Sequence, residues 1–133
     1  MLGDAGILAG QTGLEVSFGR TLDSAVGSVS LLAREKPAQT DARPDCGPGR
    51  VQVVRYASGL SLVFRDGALR GWSVSGGETA PAPNGVRIGQ TRAEVAALAG
   101  DASISGDALR MGGMTGRFGA DGRLAALWAG QVC

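Results

Sequence analysis

Histidine is absent from the 133-residue sequence. That removes the commonest general acid–base and the commonest metal ligand together. Cysteine occurs twice, at Cys46 and Cys133, which is too few for a structural zinc site. No apolar run approaches the roughly 20 residues of a membrane span. Met1 and Leu2 are not followed by a basic segment and a continuous apolar stretch, so they do not begin a signal peptide. If the protein is exported, its leader lies outside this sequence and Met1 is an added start. There is no excess of either charge: 13 Lys+Arg stand against 12 Asp+Glu, a net charge of +1. That balance argues against a nucleic acid or an acidic membrane as partner, since either needs clustered positive charge.

Several chemical motifs are missing as well. Gly10-Gln11-Thr12-Gly13 and Gly47-Pro48-Gly49 lack the Lys-Ser/Thr that makes a glycine-rich stretch a phosphate loop. No Gly-x-Ser-x-Gly elbow occurs, and serine and aspartate without histidine do not form the usual triad. The sequence therefore points away from an enzyme and away from any cofactor or metal.

What the chain does have is glycine, 23 residues of it, with 5 prolines. Glycine serves where the backbone needs φ > 0, so many tight turns are expected. The glycines follow no triplet period, which excludes collagen. Many turns in a short chain favour short antiparallel strands over long helices. Apolar residues at 44% and charged residues at 19% are ordinary for a globular protein.

The most informative pattern is internal similarity. Gly19-Arg20-Thr21-Leu22-Asp23-Ser24-Ala25-Val26 resembles Gly89-Gln90-Thr91-Arg92-Ala93-Glu94-Val95. Each reads as a helix start with Thr as N-cap. Thr91 and Glu94 add a capping box. The first helix places Leu22, Ala25, Val26, Val29 and Leu32 on one face, with Gly27 as a weak point. The second places Val95, Leu98 and Ala99 on one face and stops at Gly100. A second matched pair follows, Gly59 to Leu69 and Gly113 to Leu124, each holding an Asp-Gly turn between two strands. Leu60, Leu62 and Phe64 alternate with Ser61 and Val63, giving one buried face. Trp72 and Val74 share a side of the next strand, while Leu124, Leu127 and Trp128 mark the last strand with less regular spacing. Further strands are expected over Val51 to Tyr56, around Ser103-Ile104-Ser105 and around Leu109-Arg110-Met111.

These signals divide the chain into a first repeat (1–75), a linker rich in Pro and Gly (76–85) and a second repeat (86–133). The first repeat carries a long loop from Glu35 to Gly49, read either as a pinned surface loop or as a binding loop. Half of 133 residues is too small to bury a stable core alone. The expected fold is therefore α+β, one compact domain of two tandem helix-plus-antiparallel-meander repeats sharing a sheet with both helices on one face. The opposite face is left for a partner.

The twofold occurrence of a Gly-x-Thr helix start before an antiparallel meander resembles the β-lactamase-inhibitor-protein-like fold, from Gly13 to Cys133. That group includes small outer-membrane lipoproteins with one copy and inhibitor proteins with two. The Asp45-Cys46-Gly47 to Gly49 segment, the Gly59 to Trp72 segment and the terminal Ala129 to Cys133 are similar to those of uncharacterised bacterial secreted or lipoprotein domains. The resemblance implies a fold and a place outside the cytoplasm more than an activity.

Cys46 and Cys133 read either as a redox pair or as a structural disulfide tying the long loop to the C-terminus. The structural reading is preferred, because a reactive thiolate needs a neighbouring positive charge or helix N-terminus. A disulfide implies an oxidising compartment, hence a periplasmic or secreted protein. Asp66 and Asp121 are explained by their turns and Glu94 by its cap. Asp41 and Asp45 match no calcium-loop spacing. Phe18, Phe64 and Phe118 are core residues by default. Tyr56, Trp72 and Trp128 are candidate binding anchors, with Arg55, Arg65, Arg70 and Arg117 around them; for Trp72 the alternative, buried packing, is preferred. The function expected is an extracytoplasmic binding or scaffold module that offers a curved sheet face and the Glu35–Gly49 loop to a protein partner in the cell envelope. The alternatives are an inhibitor of a secreted enzyme, or a small-ligand carrier or hydrolase with a sheet-face pocket lined by Trp72 and Tyr56. A shallow, wet face favours a protein partner, and a closed pocket favours a ligand.

Overall fold

The computed structural model describes residues 2–3, 6–8, 15–33, 35–44, 46–76, 85–100 and 102–132. Three short strands open the chain, β1 (Leu2–Gly3), β2 (Gly6–Leu8) and β3 (Glu15–Ser17), paired antiparallel in that order. Helix α1 (Leu22–Ala33) is followed by β4 (Gln39–Ala42), β5 (Val51–Arg55), β6 (Leu60–Arg65) and β7 (Ala68–Ser75). Helix α2 (Arg92–Leu98) is followed by β8 (Ser103–Ser105), β9 (Ala108–Met111), β10 (Met114–Phe118) and β11 (Leu124–Gly130). The strands from β4 onward form one eight-stranded antiparallel sheet in the order β4-β5-β6-β7-β11-β10-β9-β8. Each helix thus precedes a four-stranded meander, and the meanders meet along β7 and β11. The expected α+β character and large antiparallel sheet are both present.

The helix starts are built alike. Gly19 (φ +101°) and Gly89 (φ +96°) take the left-handed backbone that glycine allows. The Gly19 N–H donates to the Leu69 carbonyl at 2.7 Å, and the Gly89 N–H to the Leu124 carbonyl at 2.8 Å. Thr21 bridges to Ala68 and Thr91 to Arg123, so each helix start is tied to the hairpin of its own meander. Thr91 and Glu94 form the expected capping box. Gly27 does not interrupt α1. Ala25 and Val29 bury the inner face of α1, with Leu22 and Val26 packed beside them. The side chain of Leu32 lies outside the described residues.

Val95 and Ala99 bury the inner face of α2, but Leu98 is 44% exposed rather than core. Seven residues give only about two turns, and Leu98 falls at the rim beside Gly85.

One cluster joins both halves. Phe64, Leu69 and Trp72 meet Leu109, Phe118 and Leu127 beneath the two helices. Leu2, Ile7 and Val16 of the small sheet enter the same core. The irregular spacing in the last strand has a definite cause. Phe118 pairs with Leu124 while Arg117 pairs with Ala126, so Ala125 is an extra residue, a β-bulge. The bulge resets the alternation and puts Leu124 and Leu127 on the same face. Arg70 is the corresponding extra residue between Leu69 and Gly71 in β7.

One of the two Asp-Gly turns differs from expectation. Asp66 (φ +52°) and Gly67 (φ +81°) form the expected two-residue hairpin turn. Asp121-Gly122 instead sits in a longer connection closed by Gly119 N–H to the Arg123 carbonyl at 2.8 Å. The long loop is also shorter than read, because Gln39–Ala42 pairs with β5 as an edge strand. Residues 77–84 of the linker lie outside the described set. Among the described residues no helix is long and apolar enough to cross a membrane.

Candidate functional site

Helices and small sheet cover the inner face, so the outer face of the eight-stranded sheet is where polar side chains collect. Strand alternation puts Leu62, Trp72 and Leu127 inward and Ser61, Ser73 and Trp128 outward. Register then lines up one residue per strand. Arg55 pairs with Ser61, Ser61 with Ser73, Ser73 with Trp128, Trp128 with Thr115 and Thr115 with Arg110. The row continues to Gln39 at one edge and Ser103 at the other.

Two shallow hollows flank Ser73. One, of about 130 Å³, is lined by Arg43, Val53, Arg55, Ser61 and Ser75 among others. The other, of about 240 Å³, lies between Ser73, Arg117, Ala126, Trp128 and Val132. Trp128 is half-buried there. Arg117 and Arg110 are exposed on neighbouring strands. Arg55 is ion-paired with Asp41 at 3.7 Å. Asp41 therefore serves the edge strand. Asp45 lies outside the described residues, and among those described no three His, Cys, Asp or Glu side chains gather into a metal-binding group.

The first half of this face carries a lid of its own chain. Val51, Val53 and Val63 form an outward apolar patch, and Cys46 and Val132 pack on it. Arg65 holds the lid down. Its guanidinium donates to the carbonyls of Pro48 and, at 3.1 Å, of Cys46, and its Nε donates to Gln131 Oε1 at 3.2 Å. Asp66 Oδ1 accepts from the Arg50 N–H at 2.9 Å. The loop is thus pinned, the first of its two readings. Gly71 lets the C-terminal segment cross, since a Cβ there would lie 2.1 Å from the Gln131 carbonyl oxygen. Cys46 is not a free thiol; Cys133 lies outside the described residues.

Two candidate anchors are elsewhere. Trp72 is 0% exposed and Tyr56 4%, both inside the core under the helices. Their inward register put them there: Trp72 pairs with inward Leu62. The Tyr56 hydroxyl shares a hydrogen bond with Ser30 Oγ at 3.0 Å. Burial pushes its pKa above the usual value, the Ser30 bond opposes this, and the Glu35 carboxylate adds to it. Glu35 in turn accepts from the Ser58 hydroxyl. This group fastens the end of α1 to the β5–β6 turn. A pocket lined by Trp72 and Tyr56 on the sheet face is therefore not found. Arg70 is exposed at its bulge. Of the five candidate binding residues, Arg55 and Trp128 share the outward row.

Sequence reasoning missed Ser73, Thr115 and Arg110. Their only signal is alternation within their own strands, and nothing local reports the β7–β11 register that aligns them. No protein-family model, curated protein or solved structure matches this chain.

Proposed function

We propose that this chain is a non-enzymatic binding module acting outside the cytoplasm, with the outer face of the eight-stranded sheet as its contact surface for a protein partner in the cell envelope. The observation that carries the reading is Trp128, half-buried between Ser73 and Arg117 on an open face. Protein interfaces are anchored by Trp and Arg within a polar surround. Small-molecule sites are concave and enclose most of the ligand, whereas the hollows here are open and hold only about 130 and 240 Å³. An inhibitor of a secreted enzyme would use the same face. Three carboxylates are engaged structurally, Glu94 in a cap and Asp66 and Asp121 in turns.

Two further expectations belong to the proposal. The halves are read as two copies of one unit, in keeping with the β-lactamase-inhibitor-protein-like resemblance. The matched Gly19 and Gly89 turns, the Thr21 and Thr91 bridges and the two bulges support it. Cys46 and Cys133 are read as a disulfide, supported by Val132 packing on the same patch as Cys46. A disulfide there would go with an oxidising compartment, so the proposal includes a periplasmic or secreted location.

The test is capture from native envelope extract with the full chain as bait, compared across variants. A specific partner should be retained by wild type and by Leu31→Ser, which alters an exposed helix position, and lost with Trp128→Ser. Equal capture by Trp128→Ser, or loss only with Leu31→Ser, contradicts the reading. An intact mass without the loss of two hydrogens contradicts the disulfide.

A further inference from the structure

The strands of the eight-stranded sheet contain five arginines, Arg55, Arg65, Arg70, Arg110 and Arg117, and one acidic residue, Asp41. The whole chain has a net charge of +1, so folding concentrates positive charge on this sheet. Arg65 is engaged in holding the loop, and Arg70 sits at the bulge. The remaining three belong to the outer face around Trp128. Arg55 and Arg110 stand in the outward row, and Arg117 lies beside it. Asp41 offsets part of Arg55. Among the described residues no carboxylate pairs with Arg110 or Arg117.

We infer that the outward row is a track for an acidic segment of the partner protein, laid across the strands in extended form. This rests on the outer face being the contact surface. Neighbouring strands lie about 4.8 Å apart, so Arg55 and Arg110, five steps apart, are separated by roughly 24 Å. An extended peptide of about seven residues covers that length at ~3.4 Å per residue. Guanidinium groups at the ends bind carboxylates by charge-assisted, often bidentate hydrogen bonds. Between them Ser61, Ser73 and Thr115 offer hydroxyls, and the Trp128 ring offers an apolar surface for one central side chain. The hollow beside Trp128, also lined by Ala126 and Val132, suits an aliphatic side chain. The track therefore reads acidic, apolar, acidic from end to end.

The probe is the end-blocked peptide Glu-Ser-Glu-Leu-Glu-Ser-Glu, titrated into the oxidised full chain at low salt and followed by amide chemical shifts and tryptophan fluorescence. A control peptide replaces every Glu with Gln. Saturable shifts at Ser61, Ser73, Thr115, Arg110 and Trp128 are expected. Affinity should fall at least tenfold with the control peptide and with Arg55→Gln/Arg110→Gln, fall with Trp128→Ser, and decline as salt rises. Equal binding of both peptides at these residues overturns the acidic preference but leaves the face as a contact surface. Absence of any shift on the outer face with either peptide, or shifts confined to α1 and α2, overturns both. Tighter binding of single-stranded DNA or of phosphatidylglycerol vesicles on the same residues overturns the assignment to a protein segment.

Discussion

Ser73 and Trp128 face each other directly across the β7–β11 pair, and each lies four residues beyond the leucine, Leu69 or Leu124, whose carbonyl accepts the turn-glycine N–H of its own half. The neighbouring pairs follow the same rule in mirror order: Leu127 opposes Val74, and Ala129 opposes Trp72. The junction between the meanders is therefore centred on this pair. Its inner side is core and its outer side is the middle of the polar row. Fold and candidate site share one line of hydrogen bonds.

The two tryptophans should respond to deletion in opposite ways. Trp72 is fully buried, so Trp72→Ala should cost about 3–5 kcal/mol. Trp128→Ala should cost a small fraction of that, since its side chain stands on the outer face. Urea unfolding monitored by circular dichroism checks both. Equal losses would mean that Trp128 is a core residue.

Gly71 and Gly27 form a second contrast. A Cβ on Gly71 would meet the Gln131 carbonyl oxygen at 2.1 Å, whereas one on Gly27 meets nothing within 4 Å. Gly71→Ala should destabilise by about 1–3 kcal/mol as the C-terminal segment is displaced. Gly27→Ala should stabilise by up to about 1 kcal/mol, because alanine suits a helix interior. Thermal midpoints moving the same way for both would refute the packing described at Gly71.

The α2 cap makes a pH-dependent contribution with a fixed sign. Donation from the Thr91 backbone N–H, and then from its hydroxyl, holds the Glu94 carboxyl below its ordinary value of 4.5. A carboxylate whose pKa is lowered on folding stabilises above its unfolded value and loses that effect as pH falls through the folded value. The stability gap between wild type and Glu94→Gln should be present at pH 6 and close below pH 4. Thr91→Ala should cost about 1 kcal/mol at pH 7. A gap that widens toward acid contradicts the cap.

Reduction should loosen one end of the molecule. A bond between Cys46 and Cys133 would close a loop of nearly ninety residues, which typically stabilises by about 2–4 kcal/mol. Dithiothreitol should lower the unfolding midpoint accordingly and raise hydrogen exchange at Val51, Val53 and Val63, where Cys46 and Val132 pack. An unchanged midpoint would show that the lid is held by Arg65 alone.

Much of the fold was legible because its signals are local. Thr91 with Glu94 announced a helix start, Asp66-Gly67 a hairpin, and the alternation of Leu60, Leu62 and Phe64 a buried face. The N-terminal strands were missed because Leu2–Gly3 and Gly6–Leu8 are too short and glycine-rich to show a period. Leu98 was misplaced because a two-turn helix buries less of its stripe than the spacing suggests. The site was harder. Arg55, Arg110 and Arg117 are scattered in sequence and come to share one outer face only through strand register, which a near-neutral net charge does not report. Trp72 and Trp128 are alike in composition, and a bulge together with the β7–β11 register decides which of them points outward.

The most direct test of the account divides the chain at its junction. Residues 1–76 and 77–133, produced separately and kept reduced, should each lack a cooperative unfolding transition, because neither encloses the core that Phe64 and Trp72 share with Phe118 and Leu127. Mixed in equal amounts, they should associate and recover strand and helix circular dichroism with a single transition. Cooperative folding of either piece alone, or mixtures that stay equal to the sum of their parts, would contradict a common core closed across Ser73 and Trp128.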